Sequence, residues 1–342
     1  MIQVENLVKK YGPHLAVDDL SFSVEKGQIY GFLGPNGAGK STTMNIMTGY
    51  IASDSGVVTI NDYDILKEPE KAKRSIGYLP ENPPLYTDMT VKEYLCFAAE
   101  LKKVPKKERS AHVDEIIETV QLTDVKNRLI RNISKGYKQR VGLAQALVGN
   151  PEVLILDEPM VGLDPKQIIE MRDLIKGLAG NHTIILSSHI LSEISAVCDH
   201  IMIISHGKLA ASGSPQELQE MMRTKTELEI TAFGTKEHAE EIMQKIGGIE
   251  TYTIESAQET DSVRILLTEA GGKDMRRELS VALSQEGMPI LSMNRIEKSL
   301  EDIFLELTES ETDEKVKSET DIAETQTETK EDKEELSDGS DI

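Results

Sequence analysis

The glycine-rich segment at residues 34–42, GPNGAGKST, restricts the fold of this chain more than any other feature. The apolar run QIYGFL precedes it and a helix-like sequence follows it, which is the strand–loop–helix context of a phosphate-binding loop. In such a loop the glycines allow a tight turn that points backbone N–H groups at phosphate oxygens. The Lys40 ammonium can reach the β- and γ-phosphates, and the Ser41 hydroxyl can ligate Mg²⁺. The residues predicted to bind the nucleotide here are Gly34, Pro35, Asn36, Gly37, Ala38, Gly39, Lys40, Ser41 and Thr42.

Short apolar runs and helical patterns alternate through the first two thirds of the chain. The runs QIYGFLG, VLILDEP, TIILSSH and HIMIIS are continuous enough to be buried strands. This alternation predicts an α/β domain at residues 1–224, a P-loop NTPase domain with a largely parallel sheet. Residues 86–150 lie between predicted strands and contain amphipathic segments. They are predicted to form an inserted helical subdomain. One of these segments, TVKEYLCFAAEL, opens with the capping-box pair Thr90 and Glu93.

The order of elements changes after residue 224. The pattern there is β-α-β-β-α-β, which predicts a small ferredoxin-like α+β domain at residues 225–308. It ends in an amphipathic helix, SLEDIFLEL, and shows no catalytic constellation, so a packing or dimerisation role is expected. Residues 309–342 carry 14 acidic and 4 basic residues, a charge of −10, and no aromatic residue. This acidic tail is predicted to be disordered because it cannot bury enough apolar surface.

Two carboxylates and a histidine follow predicted strands. Asp157, at the end of VLIL, is placed to hold Mg²⁺, and Glu158 beside it is placed to polarise or deprotonate an attacking water. His189, in SSHIL, could reach a γ-phosphate. A lone histidine at a strand end is more often structural, so the residues alone leave its role open.

Charge and hydropathy exclude several classes of protein. The net charge of −21 argues against nucleic acid as a partner. No apolar run approaches membrane-spanning length and the N-terminus lacks a signal-peptide core, so a soluble protein is expected. Cys96 and Cys198 lack metal-ligand spacing and are predicted to be reduced thiols.

A second phosphate cradle is predicted at residues 132–140, NISKGYKQR. This polar segment leads directly into the apolar-periodic run VGLAQALVG, so it is expected to be the exposed start of a helix. Such a helix start offers backbone N–H groups and the Ser134 hydroxyl to an anion.

These motifs together resemble the ATP-binding subunit of an ABC transporter over residues 1–222. Under this resemblance NISKGYKQR falls at the family's signature motif, with Ser134 and Gly136 kept. Tyr11 takes the position of the aromatic residue that stacks on adenine, although an ordinary strand tyrosine is the alternative. Asp164, in VGLDP, is expected to face a dimer partner, and His189 is expected to act in catalysis.

The sequence departs from the family pattern at three places. Glu81 stands where the family usually has Gln; a carboxylate there can still ligate Mg²⁺, but its charge could alter coupling to the membrane subunit. The usual Gly-Gly-Gln of the signature is Lys135-Gly136-Tyr137, and Val161 replaces a small hydroxyl residue. The segments LPE, SKGY and LEDIF resemble gliding-motility-type exporter ATPases, so these departures are interpreted as subfamily features.

The resemblance implies a function. Two such subunits would pack head to tail around two ATP molecules with Mg²⁺, most simply as a homodimer, and would drive export through separate membrane-spanning permease subunits. The protein would be cytoplasmic and peripheral on the inner face of the cell membrane. A soluble ABC-type ATPase acting on ribosomes or DNA is the first alternative, but this chain lacks a second ATPase half and a long heptad insertion. A non-catalytic ATP-gated scaffold and a simple P-loop kinase are the others.

Overall fold

A computed structural model describes residues 2–221, 227–257, 259–269 and 274–296 of the chain. The described residues form two compact units, one up to Ser214 and one from Pro215. The predicted domain division near Thr224, the predicted terminal helix SLEDIFLEL and the acidic tail at 309–342 lie outside the described residues.

The described part of the first unit alternates strands with helices. Its strands are β1 (Ile2–Tyr11), β2 (His14–Val24), β3 (Ile29–Leu33), β4 (Ser55–Ile60), β5 (Tyr63–Asp64), β6 (Ile76–Leu79), β7 (Val153–Leu156), β8 (Thr183–Ser188), β9 (His200–Ser205) and β10 (Lys208–Gly213). Its helices are α1 (Lys40–Met47), α2 (Pro69–Arg74), α3 (Val91–Leu101), α4 (Lys106–Thr119), α5 (Lys135–Leu147), α6 (Pro165–Leu178) and α7 (Leu191–Ser195).

Six of these strands form one sheet in the order β10-β9-β3-β8-β7-β6. All neighbours are parallel except β10, which runs antiparallel to β9. Every residue of β3, β7 and β8 is buried. Because these strands are covered on both faces, their sequences are continuous apolar runs. The prediction of an α/β fold with a largely parallel sheet is confirmed.

A second, antiparallel sheet of order β2-β1-β4-β5 was not predicted from the sequence. Its apolar side chains, including Ile2 and Leu20, share one core with Phe32 and Ile185 of the parallel sheet. A half-buried strand is recognised by alternating buried and exposed residues. This alternation is interrupted in β1, because its register with β2 shifts at several positions. These irregularities hide the two-residue period of the strand.

Three helices, α3, α4 and α5, lie between β6 and β7 in the chain. The predicted capping box of α3 is present: the Thr90 hydroxyl accepts from the Glu93 N–H, and the Glu93 carboxylate accepts from the Thr90 N–H at 2.8 Å. Leu95 is fully buried, whereas Leu101, at the last turn of α3, is 66% exposed and lines an open groove. The position of Leu101 places an apolar side chain on the surface near the functional site.

The second unit contains, in its described part, α8 (Pro215–Met221), β11 (Glu227–Phe233), α9 (Lys236–Lys245), β12 (Ile249–Ser256), β13 (Ser262–Glu269), α10 (Arg276–Gln285) and β14 (Ile290–Ile296). Its strands form an antiparallel sheet of order β12-β13-β11-β14. Ile230 and Ile265 of the sheet pack with Leu279 and Leu283 of α10 in the unit's core. Within the described ranges of both units, no helix has the length and apolar character needed to cross a bilayer.

Candidate active site

Four loops of the first unit meet at one edge of the parallel sheet. Strands β3, β8, β7 and β6 are neighbours in register, with Leu33 beside Ser188, Leu156 beside Leu186 and Leu79 beside Leu156. Since the carboxyl ends of parallel strands lie at the same edge, the loops that follow them converge there. These loops carry the glycine-rich segment, Glu158, His189 and Glu81.

Glycines at two positions of the loop are required by close backbone contacts. A Cβ atom on Gly34 would lie 2.4 Å from the carbonyl oxygen of Ile204, and one on Gly39 would lie 2.4 Å from that of Ala16. Gly39 also has φ +101°, in the left-handed region that favours glycine, and it caps the start of α1. Residues with a side chain therefore do not fit at positions 34 and 39 of this loop.

The Lys40 side chain is buried inside this loop, with 5% of its surface exposed. Its ammonium donates to the carbonyl oxygens of Gly34 at 2.7 Å and Pro35 at 3.1 Å, and it lies 3.8 Å from Glu158 Oε1. Burial lowers the pKa of Lys40, while the neighbouring carboxylates of Glu158 and Asp157 oppose this shift. The loop thus holds a desolvated cation beside two carboxylates.

The oxygen atoms of Ser41 and Asp157 lie side by side. The Ser41 hydroxyl donates to Asp157 Oδ1 at 3.3 Å, and hydroxyl and carboxylate oxygens are the ligands that Mg²⁺ prefers. No cluster of three or more His, Cys, Asp or Glu side chains suited to a metal occurs among the described residues. The paired oxygen atoms of Ser41 and Asp157 fit a Mg²⁺ ion that takes its remaining ligands from phosphates and water.

Glu158 is fixed at its backbone and at its carboxylate. Its φ of +48° is unusual for a residue with a side chain, and its N–H donates to the Ser187 hydroxyl at 2.8 Å. Its Oε2 lies 3.1 Å from His189 Nδ1. The structure therefore brings together the predicted catalytic pair, Glu158 and His189, and it places Lys40 on the other side of the same carboxylate.

A cavity of about 430 Å³ opens above these groups. The predicted residues that line it are Tyr11, Asn36, Gly37, Gly39, Lys40, Ser41, Thr42, Glu81, Glu158 and His189. His14 and Ala16 also line it and were missed. His14 pairs with Tyr11 across the turn between β1 and β2, so the short hairpin YGPH was the signal that could have identified it. Tyr11 is 49% exposed at the cavity, which leaves its ring accessible.

A separate cavity of about 360 Å³ contains the second predicted cradle. Ser134 caps the start of α5, where its oxygen accepts from the Tyr137 N–H at 3.4 Å, so the predicted exposed helix start is confirmed. Asp164 caps α6 in the same way and accepts from the Gln167 N–H at 2.9 Å. Gly136 lines this cavity with them. Among the described residues, none lines both cavities, so this chain by itself does not bring Ser134 to Lys40.

An open groove of about 910 Å³ adjoins the first cavity and shares Ser41 and Glu81 with it. Tyr50, which is 79% exposed, and Leu101 form apolar parts of its wall. Tyr78, also in this wall, hydrogen-bonds to Asn45, and burial raises the pKa of its phenol to about 12. The groove is thus a partly apolar surface that shares residues with the first cavity.

Comparison with known proteins gives consistent matches. The model of the ABC transporter family matches residues 17–161. The chain is 33% identical over 309 residues to the linearmycin resistance ATP-binding protein LnrL of Bacillus subtilis (strain 168), covering 90% of this chain and 98% of that protein. It is 37% identical over 309 residues to the bacitracin transport ATP-binding protein BcrA of Bacillus licheniformis, covering 90% and 97%.

A solved structure supports the same assignment. The ADP conformation of MJ1267, an ATP-binding cassette of an ABC transporter, is 31% identical to this chain, with a TM-score of 0.58. The match covers 64% of this chain and 92% of that chain. With the glycine-rich loop, the carboxylate pair and the histidine gathered at one sheet edge, these similarities show that the chain belongs to the ABC transporter ATP-binding proteins, the ATP-hydrolysing subunits of these transporters.

Proposed function

We propose that two copies of this chain pack head to tail, so that the Lys40 cavity of one copy and the Ser134 cavity of the other enclose the same ATP molecule. The observation that carries this proposal is that the two cradles line separate cavities within one chain. A phosphate bound by Lys40 leaves the exposed Ser134 hydroxyl and the start of α5 without a ligand unless a second subunit supplies one. In a homodimer, both cradles of each chain would contact an ATP molecule, and one type of chain is enough.

The residues of the first cavity can then take defined roles in hydrolysis. Tyr11 stacks on adenine, while the backbone of residues 34–42 and the Lys40 ammonium bind the phosphates. Ser41, Asp157 and Glu81 would hold Mg²⁺, which neutralises phosphate charge when bound. Glu158 accepts a proton from the attacking water as the water oxygen bonds to the γ-phosphorus and ADP leaves. His189 holds the Glu158 carboxylate in place through its Nδ1 contact.

The groove between the Glu81 loop and α3 is proposed to receive the membrane-spanning permease. Exposed apolar side chains such as Tyr50 and Leu101 are suited to burial by a partner, and Glu81 reaches both the groove and the nucleotide cavity. Movement of Glu81 on ATP binding or hydrolysis would therefore change the groove. The helical subdomain at residues 86–150, which supplies α3, would transmit this movement, and the subunit would lie on the cytoplasmic side of the membrane.

Export is the proposed direction of transport. The names of two relatives refer to linearmycin resistance and to bacitracin transport, and removal of an antibiotic from a cell is outward transport. The likeness of LPE, SKGY and LEDIF to gliding-motility-type exporters supports the same direction. The second unit is proposed to contain a ferredoxin-like domain because, after α8, its four strands and the helices α9 and α10 follow the β-α-β-β-α-β order.

The shared-site proposal is tested with mixed dimers purified through two different affinity tags. In the trans arrangement, one chain carries Lys40→Ala and the other carries Ser134→Arg, whose bulk would hold the subunits apart at that site. Head-to-tail packing gives one site with both defects and one intact site, so the dimer should retain part of its ATPase activity. Each variant alone should be inactive.

The cis arrangement is the matched control. One chain carries both substitutions and its partner carries neither, so each shared site has one defect and activity should be lost. If both cradles served a single site within one chain, the results would be reversed: the cis dimer would keep one intact site and the trans dimer none. Activity in the cis dimer without activity in the trans dimer would therefore reject the proposal.

A further inference from the structure

The Ser187 hydroxyl lies between the two carboxylate residues of the active site. Ser187 is fully buried near the end of β8, next to the residues that follow β7. Its hydroxyl donates to Asp157 Oδ1 at 2.6 Å and accepts from the Glu158 N–H at 2.8 Å. One oxygen atom therefore contacts the side chain of one acidic residue and the backbone of the next.

The Glu158 backbone needs such a contact. Its φ of +48° is a left-handed conformation, which is sterically unfavourable for a residue with a side chain. Its N–H is buried with the rest of the residue and has the Ser187 oxygen as its acceptor. Without that acceptor the buried N–H would lose its hydrogen bond, and a different peptide orientation would be favoured. The Glu158 carboxylate would then leave its position between Lys40 and His189.

The Asp157 carboxylate is oriented by the same hydroxyl. Its Oδ1 accepts from Ser187 at the shorter distance and from Ser41 at 3.3 Å. A serine hydroxyl has one hydrogen to donate and lone pairs to accept, so it can make both contacts at once, whereas alanine or valine can make neither. Ser187 therefore fixes the position of Glu158 relative to Asp157.

We propose that Ser187 is a positioning residue for hydrolysis, which sets the Glu158 peptide and the Asp157 carboxylate in their working arrangement without contacting ATP. The inference rests on the roles proposed above for Asp157 and Glu158. Ser188, the next residue, serves a different purpose: its hydroxyl donates to Glu193 at 2.7 Å and accepts from the Ile190 N–H. The two adjacent serines are thus distinguished by what they contact.

The test compares Ser187→Ala with Thr183→Val. Thr183 is buried at the other end of β8, and its hydroxyl also accepts a backbone N–H, that of Gly27 at 3.0 Å. Both variants lose a buried acceptor on the same strand, so comparable decreases in melting temperature are expected. Ser187→Ala should lower kcat by about ten- to a hundredfold, as expected for hydrogen bonds that involve a charged group, with little change in the affinity for ATP. Thr183→Val should leave kcat and affinity unchanged.

Two further variants make the result decisive. Ser187→Cys keeps the volume of the site with weaker hydrogen bonds, so its kcat should fall between those of the wild type and Ser187→Ala. In a Glu158→Gln background, single-turnover hydrolysis should lose a smaller factor on Ser187→Ala than in the wild type, because only the Asp157 contact then affects the rate. An equal factor in both backgrounds would show that Ser187 acts independently of Glu158 and would overturn the inference.

The same measurements separate this inference from the proposed function. Near-normal hydrolysis by Glu158→Gln would reject the role of Glu158 itself, and the inference with it. A slow Glu158→Gln variant together with wild-type kcat for Ser187→Ala would reject only the positioning role of Ser187. Equal kcat losses for Ser187→Ala and Thr183→Val would identify a general effect of stability and would also reject that role.

Discussion

The two phosphate cradles of this chain differ in how completely the chain itself builds them. The glycine-rich loop runs so close to the backbone of Ala16 and Ile204 that no Cβ fits at Gly34 or Gly39, and its buried cation lies near the carboxylates of Glu158 and Asp157. The Ser134 cradle is an exposed helix start that offers a hydroxyl and N–H groups. The first is preorganised for a nucleotide, whereas the second, in the proposed dimer, becomes a site only when the partner subunit covers it. A shared site at a dimer interface needs this division between the two cradles.

The charges of the two cavities differ in the same way. In the first, the Lys40 ammonium donates to loop carbonyl oxygens and lies 3.8 Å from the Glu158 carboxylate. In the second, the Arg140 guanidinium pairs with Glu170, donates to Gln121 at 3.1 Å and lies 5.9 Å from the Tyr137 ring. Arg140 therefore stabilises the chain internally. The Ser134 hydroxyl and the start of α5 remain to contact a phosphate, beside the exposed Lys166 side chain that also lines this cavity.

The largest effect is expected from Glu158→Gln. Glu158 is the proposed general base, and it lines the first cavity and not the second. Loss of a general base should slow hydrolysis by at least ~100-fold. ATP binding should persist and a stable dimer should accumulate, since the amide keeps the shape of the side chain and removes its charge. Single-turnover hydrolysis, equilibrium binding and size-exclusion chromatography measure the three outcomes.

Glu152→Gln is the matched control for that experiment. Glu152 is exposed just before β7, at the opposite end of the strand that Glu158 follows, so its conversion to an amide should leave turnover unchanged. Near-normal turnover of Glu158→Gln would mean that another residue is the general base. Proton abstraction could then no longer be assigned to Glu158 in the first cavity.

A smaller effect is expected from Ser134→Ala in the second cavity. A hydroxyl bound to a charged phosphate contributes about 1.5–3 kcal/mol, which corresponds to roughly a ten- to a hundredfold loss of activity. Because Ser134 also caps α5, part of the effect could arise from helix stability, which is typically about 1 kcal/mol for such a cap. Steady-state kinetics and thermal unfolding together separate these contributions.

Thr235→Ala supplies the comparison for the cap. Thr235 caps α9 in the second unit, and its oxygen accepts from the His238 N–H at 3.4 Å, the same distance as in the Ser134 cap. We expect Thr235→Ala to leave the kinetics of hydrolysis intact. If Ser134→Ala lost no more activity than Thr235→Ala, the second cradle would be a structural helix start and not part of the nucleotide site.

The smallest effect on the isolated subunit is expected from Glu81→Gln. Glu81 is exposed where the first cavity meets the groove, so restoring the residue common in the family should leave ATP affinity nearly unchanged. The change should instead appear in how strongly the membrane subunit stimulates hydrolysis, because removal of a charge alters the connection between cavity and groove. Hydrolysis is measured with and without the permease in lipid vesicles. Loss of ATP binding would mean that the Glu81 charge is needed to hold the nucleotide, and would contradict a role in the relay to the groove.

The sequence by itself determined the features that depend on neighbouring residues. The glycine-rich loop, the buried runs of β3, β7 and β8, the capping box of α3 and the helix start at Ser134 all follow from short patterns. Each is set by backbone geometry or by capping within a few residues, so no distant contact is needed to predict it. The positions of Asp157 and Glu158 directly after a buried strand also follow from the local pattern.

Only the tertiary structure decided the features that depend on residues distant in sequence. These include the bulged antiparallel sheet, the exposure of Leu101 at the groove, the left-handed backbone of Glu158 and the Ser187 hydroxyl that holds it. The separation of the Ser134 and Lys40 cavities belongs with them. Pairing between strands and packing between helices set these positions, and the free energy of such contacts depends on partners that no local pattern specifies.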